Sequence, residues 1–214
     1  MYTYFGVRAE LLSARSIEVR WHGRGGQGAV TASIILSEAA NYEGLYAQAF
    51  PEFGPERRGA PVKAYTRISR DPIRSRAPVR SPDIVVVLDP TIPHQLFLQG
   101  LKEDGVLVIN TKLSATDISV KLKVSRVVTI DATGVALKIL KTPIVNIAML
   151  GALARVLRIV SLESLARATL KTLFNIKFEG SLETLRKTSI LGEAALGNIE
   201  VLVEAYRLAE VFEA

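Results

Sequence analysis

The pattern of apolar and polar residues over residues 17–50 predicts a strand, a helix and a second strand. Apolar residues alternate over residues 17–21, as in a β-strand, and from Gln27 onward they take helical spacing, at Val30, Ile34 and Ala40. Gly44 is placed to end this helix. A short apolar run over residues 45–50 follows directly and predicts the second strand. These residues therefore form a strand–helix–strand unit.

Later segments continue the α/β pattern. Residues 60–69 alternate as in a half-exposed strand, and the prolines of residues 70–82 predict a loop. Three continuous β-branched runs are typical of strands covered on both faces, at residues 83–89, 105–110 and 127–133. Helical patterns follow at residues 134–141, 144–158, 161–174 and 181–211. We expect no further strand after residue 133.

These elements predict one domain. Its fold class is α/β, a doubly wound and mainly parallel sheet of the Rossmann-like type with a helical C-terminal segment. The sheet is expected over residues 17–133 and the helical segment over residues 134–214, with residues 1–16 as an N-terminal extension.

Composition indicates what surrounds this domain: a partner chain, a membrane or solvent. With 49% hydrophobic residues and a mean hydropathy of +0.25, the chain is apolar for its 214 residues, so we expect another chain to cover part of its surface. The apolar segment 143–160 is interrupted by Asn146, Arg155 and Arg158 and is not a membrane span. Residues 1–16 lack the apolar stretch of a secretory signal, which favours the cytoplasm.

The chain contains no cysteine, which excludes thiolate-held iron–sulfur clusters, cysteine–zinc sites and thiol catalysis within it. His22 and His94 alone make a poor set of metal ligands, and no metal site is expected. The net charge of +6 suits acidic ligands, acidic partner proteins or nucleic acid.

The six residues from Gly23 to Gly28 match the G-x-G-x-x-G fingerprint between a strand and a helix. Glycines there allow a tight turn and let an anion approach the amides at a helix N-terminus. A dinucleotide site also needs an acidic residue after the second strand, where the nearest candidate is Glu52 in a proline-flanked loop. Alternatively, the glycines serve only close packing of the strand against the helix. The candidate ligand-binding residues of the turn are Gly25, Gly26, Gln27 and Gly28.

Arg57 and Arg58 follow the second strand, in a loop bounded by prolines. In a right-handed strand–helix–strand unit the carboxyl ends of the first two strands lie side by side, so we expect these arginines near the glycine turn. Two guanidinium groups beside a helix N-terminus suit a phosphate or a carboxylate. Solvated side chains or salt bridges to a partner are equally compatible with the pattern, and Glu56 can neutralise one of them.

Other polar residues allow more than one interpretation. Asp89, Asn110 and Asp131 each follow an apolar strand and lie at the predicted ligand-bearing edge, although each also suits a helix cap or a turn. A basic run is opposed only by Asp71 and lacks interleaved aromatic residues, so it favours a rim facing an acidic subunit over single-stranded nucleic acid. It consists of Arg67, Arg70, Arg74, Arg76 and Arg80.

Five motifs in this order resemble the gamma subunit, or gamma domain, of 2-oxoacid:ferredoxin oxidoreductases of the pyruvate or 2-ketoisovalerate type. They are HGRGGQGAVTA, YAQAFPEFGPERRGAPV, DIVVVLDPT, IDAT and PIVNIAMLGA, and the resemblance runs from about residue 17 to residue 214. Residues 1–16 depart from it.

The resemblance implies a multi-subunit enzyme that oxidatively decarboxylates a 2-oxoacid, reduces ferredoxin and forms acyl-CoA. Thiamine diphosphate, Mg²⁺ and 4Fe-4S clusters would lie on alpha, beta and delta partner subunits, and no catalytic residue is expected here. The sequence agrees, since it has no Gly-Asp-Gly motif and no cysteine. Coenzyme A phosphates are the leading candidate ligand for the glycine turn with Arg57 and Arg58. The alternatives are seating of the turn against a neighbouring subunit and a stand-alone NAD-binding oxidoreductase; the particular 2-oxoacid and the stoichiometry stay open.

We predict weak NAD binding despite the formal fingerprint, because no acidic residue is placed to bind the ribose hydroxyls. Calorimetric titration of the purified chain with NAD should give no saturable heat at micromolar concentrations. Micromolar affinity would reverse the preference for a non-dinucleotide site.

Overall fold

The computed structural model describes residues 16–52, 59–187 and 191–214. The described strands are β1 Ile17–Arg24, β2 Tyr46–Glu52, β3 Pro61–Ser69, β4 Ile84–Val87, β5 Val106–Asn110, β6 Arg126–Ile130 and β7 Glu210–Glu213. The described helices are α1 Ala29–Tyr42, α2 His94–Leu98, α3 Ala115–Leu122, α4 Ala132–Leu140, α5 Asn146–Ala154, α6 Leu162–Phe174, α7 Leu182–Lys187 and α8 Glu193–Leu208.

The strands form one sheet in the order β2-β3-β1-β4-β5-β6-β7. The central strands β1, β4, β5 and β6 are parallel, while β3 pairs antiparallel with both β1 and β2, and β7 pairs antiparallel with β6. The predicted fold class is confirmed by this mixed α/β sheet, whose parallel part lies at its centre.

Two expectations about the strands are wrong. The first two strands of the chain are not neighbours, because β3 lies between β1 and β2 and pairs with both. A strand also follows residue 133, since β7 returns to the sheet directly after α8. Its sequence, Glu-Val-Phe-Glu, is too short to show a strand periodicity distinct from the helical pattern before it.

Helices cover both faces of the sheet, as the continuous apolar strands predict. Alternate residues of β4 and β5 point to opposite faces: Val86 and Val108 pack in the large core with α1, α5, α6 and α8, whereas Val85 and Leu107 pack in a smaller core with α2 and α3. The core on the first face is thus the larger one. The helices pass from one face of the sheet to the other between β1 and β4.

All nine residues of α5 are buried, which explains the apolar character of residues 143–160. Close approach of α5 to α8 depends on Gly151, where an added Cβ would lie 2.3 Å from the carbonyl oxygen of Leu202. The longest described helix, α8, has 16 residues, and within the described ranges no helix combines the length and apolarity needed to cross a membrane.

Replacing Gly151 by alanine should destabilise the protein by roughly 1–3 kcal/mol, because backbone atoms of α8 must move apart to admit the methyl group. The matched control is Gly197→Ala in α8, where the added methyl group meets chiefly the movable side chain of Leu140. We expect the control to be neutral or more stable by up to about 1 kcal/mol, from helix propensity. Urea unfolding of both variants measures the difference, and equal effects would contradict the packing argument.

Candidate functional site

A cleft of about 510 Å³ opens at the carboxyl ends of the parallel strands. It lies at the topological switch point between β1 and β4, where the chain passes from one face of the sheet to the other. This is the position at which open α/β sheets bind ligands. Its walls come from the glycine turn, the ends of β4 and β5, the start of α4 and the residues before α5. They are Gly25, Gly26, Gln27, Leu88, Asp89, Pro90, Asn110, Thr133, Pro143, Ile144 and Val145.

The glycine turn lies between β1 and α1. Its backbone is fixed by two hydrogen bonds, from the Gly25 amide to the Ala60 carbonyl at 3.1 Å and from the Gln27 amide to the Arg24 carbonyl at 3.0 Å. Gly26 and Gly28 have φ angles of 94° and 81°, a conformation that favours glycine. The fingerprint glycines therefore shape a turn whose floor is the N-terminus of a 14-residue helix.

The side chain of Gln27 holds this turn together. Its Oε1 accepts a hydrogen bond from the Arg24 amide at 2.7 Å, and its Nε2 donates to Asp89 Oδ2 at 2.8 Å. Gln27 was predicted as a ligand-binding residue, and in the structure its amide group bridges β1 to the end of β4. The side chain therefore holds the turn in its observed conformation.

Asp89 is the centre of this network. Its Oδ2 also accepts from Arg24 Nε at 3.1 Å, and its Oδ1 accepts from the amide and the hydroxyl of Thr91 at 2.9 and 2.6 Å. Burial raises the pKa of Asp89, but the hydrogen bonds from Thr91 and Gln27 and the charge of Arg24 outweigh it, so the pKa is lowered. Asp89 is an ionised structural acceptor paired with Arg24.

Asn110 and Asp131 act as caps, one of the two roles that the sequence left open. Asp131 Oδ1 accepts from the Gly134 amide at 2.8 Å and caps α4. Asn110 Oδ1 accepts from the Ala132 amide at 3.0 Å, and its Nδ2 donates to the Leu88 carbonyl at 3.0 Å. The two residues join the ends of β4 and β5 to the start of α4 and saturate that helix terminus.

Glu52 lies on β2, which β3 separates from β1, so it is about 10 Å from the strand that carries the glycine turn. It accepts a hydrogen bond from the Tyr65 hydroxyl and lies 3.5 Å from Lys63 Nζ. The nearest acidic candidate for a ribose is thus occupied elsewhere. Arg57 and Arg58 lie outside the described residues; next to them in sequence, Gly59 accepts a hydrogen bond from Arg24 Nη1 at 3.1 Å.

The basic run divides into two groups. Arg67 is buried and bonds to Glu18 Oε1 at 2.6 Å and to the carbonyls of Ser75 and Ala77, which fixes the loop after β3. The remaining members of the run are exposed, namely Arg70, Arg74, Arg76 and Arg80. This loop follows the end of β3, which pairs with the start of β1, so it lies at the edge of the sheet opposite the cleft.

Sequence analysis did not assign a role to Asn146, the first residue of α5, which is 5% exposed. A Cβ on Gly28 would lie 2.5 Å from its Nδ2, so the N-termini of α1 and α5 meet at these two residues. The available signal was a polar residue three positions after Pro143, near a predicted helix start. Among the described residues, no three histidine, aspartate or glutamate side chains form a group suited to a metal ion.

His22 and Arg20 lie beneath the turn on β1 and are 2% and 6% exposed. Arg20 donates from Nε to His22 Nε2 at 3.0 Å and from Nη2 to the Phe97 carbonyl at 3.0 Å. Burial, followed by the charges of Arg20 and Lys63, lowers the pKa of His22 to about 3. His22 is therefore a neutral acceptor that joins β1 to α2 through Arg20.

A doubly wound sheet with a glycine turn at its switch point defines the class of Rossmann-like α/β domains. Sequence comparison is more specific, because the profile of the pyruvate ferredoxin/flavodoxin oxidoreductase family matches residues 18–188. The chain belongs to this family.

Individual relatives place it among the gamma subunits. The common gamma subunit of the pyruvate/ketoisovalerate oxidoreductases of Pyrococcus furiosus is 46% identical over 200 residues, covering 92% of this chain and 99% of the relative. The pyruvate synthase subunit PorC of Methanothermobacter marburgensis is 54% identical over 157 residues, covering 73% and 86%. The predicted resemblance is confirmed, and the chain is a gamma-type subunit of an oxidoreductase of this family.

Solved structures support the same family assignment. The crystal structure of the pyruvate oxidoreductase subunit PORC of Thermotoga maritima matches with a TM-score of 0.73 and 37% identity, covering 92% of this chain and 98% of that one. A 2-oxoglutarate:ferredoxin oxidoreductase of Magnetococcus marinus, solved with 2-oxoglutarate, coenzyme A and succinyl-CoA, matches with a TM-score of 0.67 and 17% identity, covering 91% of this chain and 31% of that chain. The second likeness is one of fold alone.

The buried His22 should make stability depend on pH. Its pKa is about 3 in the folded chain against an ordinary 6.5, so its contribution is complete above pH 6.5 and is lost as the pH falls towards 3. Between pH 7 and pH 5 this loss is about 2 kcal/mol.

Urea unfolding of the wild type and of His22→Gln at the two pH values tests this expectation. Glutamine keeps an acceptor for Arg20 and does not titrate, so the variant should lose the pH dependence over this window. An equal loss in both proteins would assign the dependence to other groups.

Proposed function

We propose that this chain is the non-redox gamma subunit of a cytoplasmic pyruvate- or 2-oxoacid:ferredoxin oxidoreductase and that its cleft contacts coenzyme A. The observation that carries the proposal is the cleft at the switch point, open over the glycine turn and the N-terminus of α1. Its volume of about 510 Å³ lies within the range usual for small-molecule sites.

The charge of coenzyme A suits this position. Phosphate groups bind favourably where helix amides point outward and where glycine lets the backbone approach closely. The negative charge of Asp89 in the same cleft is offset by Arg24, with which it forms an ion pair at 3.1 Å. In the proposed site, the glycine turn and two arginines bind the anion: Gly25, Gly26, Gln27, Gly28, Arg57 and Arg58.

The chemistry of the reaction would come from partner chains. Thiamine diphosphate with Mg²⁺ supplies the decarboxylation, and 4Fe-4S clusters carry electrons to ferredoxin, in the alpha, beta and delta subunits that the resemblance implies. This chain offers no cysteine to hold a cluster. Its own task is to orient coenzyme A and to exclude water around it, yielding acyl-CoA, such as acetyl-CoA from pyruvate, in the assembled enzyme.

A neighbouring subunit is a second candidate occupant of the same edge. Ile144 lines the cleft and is 47% exposed, an apolar surface that a partner chain would cover. The two roles are compatible if coenzyme A lies between this chain and a partner, as ligands often do at subunit boundaries.

The ligand role predicts a selective kinetic effect of Arg58→Ala. Loss of a charge-assisted hydrogen bond worth roughly 1.5–3 kcal/mol should raise the apparent KM for coenzyme A by about ten- to a hundred-fold in the reconstituted complex. The KM for the 2-oxoacid should barely change. Steady-state kinetics with each substrate varied in turn measures both values.

Arg74→Ala is the matched control, because Arg74 is an exposed arginine at the opposite edge of the sheet. It should leave both KM values unchanged. Gel filtration of the Arg58→Ala complex separates the alternatives: an intact complex with an unchanged KM for coenzyme A rejects the ligand role. Dissociation together with a loss of activity for every substrate would instead make Arg58 a subunit contact.

A further inference from the structure

A second cavity, of about 440 Å³, opens between α2 and α3 on the face of the sheet that carries the smaller core, and we call it the α2–α3 cavity. Pro90 lines both this cavity and the cleft, so the two lie side by side at the carboxyl edge of the parallel strands. The proposed coenzyme A site uses none of its residues. Its floor is apolar and at most 4% exposed, and consists of Ile92, Phe97, Ile109 and Ile118.

Hydrogen bonds to the sheet hold the walls of the α2–α3 cavity in place. Arg20 Nη2 on β1 donates to the Phe97 carbonyl at 3.0 Å and also to the Gln99 carbonyl. The loop before α2 is fixed by Thr91, whose amide and hydroxyl both donate to Asp89 Oδ1. Because the fold already fixes these walls, an occupant binds without ordering them, which lowers the entropic cost of binding.

The exposed residues of the cavity indicate what kind of occupant it suits. Leu113 lines the cavity and is 45% exposed, so an occupant would cover apolar surface that water now contacts. Lys121, in the last turn of α3, also lines it and forms no ion pair with another residue of the described ranges. None of the described residues that line the cavity is acidic, and Asp117 on the same helix is bonded to Ser114. The matching occupant therefore combines an apolar group with a negative charge.

A protein partner fits this combination better than a free small molecule. Apolar surface extends beyond the cavity, since Leu96, next to Phe97 on α2, is 48% exposed without lining it. The chain is a gamma-type subunit of an oxidoreductase, and 49% of its residues are hydrophobic. In protein interfaces, an apolar side chain commonly fills a central pocket while charged groups pair at the rim.

We propose that the α2–α3 cavity is a docking site for another subunit of the same oxidoreductase, which inserts an apolar side chain and pairs a neighbouring carboxylate with Lys121. The contact lies beside the cleft, so the docked subunit would also border the proposed coenzyme A site. The inference rests on the part of the proposed function that places this chain in a multi-subunit enzyme. It does not depend on the binding of coenzyme A.

Leu113→Glu and Lys121→Glu test the apolar and the charged part of this contact. The full chain with each change is titrated with the purified alpha, beta and delta subunits by biolayer interferometry. Leu113→Glu should weaken association about ten-fold or more, because it sets a charge against an apolar side chain and repels the carboxylate of the partner. Lys121→Glu should weaken association by about ten-fold at low salt and by less at high salt, since salt screens exposed charges.

Val120→Glu and Lys123→Glu are the matched controls, because they make the same changes of charge. Val120 is 75% exposed on α3, Lys123 is the residue that ends this helix, and neither lines the cavity. Both controls should associate like the wild type. All four substituted residues are exposed, so each isolated variant should keep its melting temperature. Leu113→Ala, which only removes the apolar side chain, decides the question if Leu113→Glu does not fold.

The outcomes distinguish this inference from the proposed function. Unchanged association of Leu113→Glu and Lys121→Glu, or an equal loss in the two controls, would overturn the docking site and leave the proposed function standing. Two other occupants would also overturn it: octanoate, if calorimetry shows that it binds the wild type but not Leu113→Glu while association is unchanged, and a second copy, if the isolated chain forms a dimer that Leu113→Glu dissociates. A wild-type chain that does not join the partner subunits would reject both the docking site and the proposed function.

Discussion

The carboxylate of Asp89 joins the two strands between which the cleft opens. It accepts hydrogen bonds from Arg24 at the end of β1, from Gln27 in the glycine turn and from Thr91 beyond β4. A strand-to-helix turn with three glycines has high conformational entropy when unfolded, and these bonds offset part of the cost of ordering it. The geometry of the whole carboxyl edge therefore depends on this one buried ion.

The same interaction explains how an acidic residue can line a cleft proposed to hold an anion. A free carboxylate there would repel phosphate, whereas one saturated by donors and paired with Arg24 contributes little net charge. In the proposed site, backbone amides at helix termini then contribute to the positive potential that an anion meets. These amides are fixed in place by the fold, so binding an anion requires little reorganisation of the protein.

Much of this arrangement could be predicted from the sequence, because its signals are local. The fingerprint glycines indicated the turn, and β-branched runs indicated strands buried on both faces. Capping was an open alternative for Asp131, and the structure confirms it. The insertion of β3 between β1 and β2 could not be predicted, since periodicity reports which residues form strands but not which strands pair. The position of Asn146 could not be predicted for a similar reason. It packs against Gly28, which is distant in sequence and adjacent in space.

The position of β7 has a consequence for how the chain folds. Arg126 on β6 bonds to Glu213 on β7 across 87 residues of sequence, and all of α4 to α8 lies between them. The helical segment is therefore anchored in the sheet at both ends, and closing this pair is a contact of high sequence separation. Such contacts form late and slowly, because the entropy of closing a long loop is lost before the pairing compensates for it. The helices should accordingly gain their native packing together with the sheet edge, as one cooperative unit rather than as an appendage that folds alone.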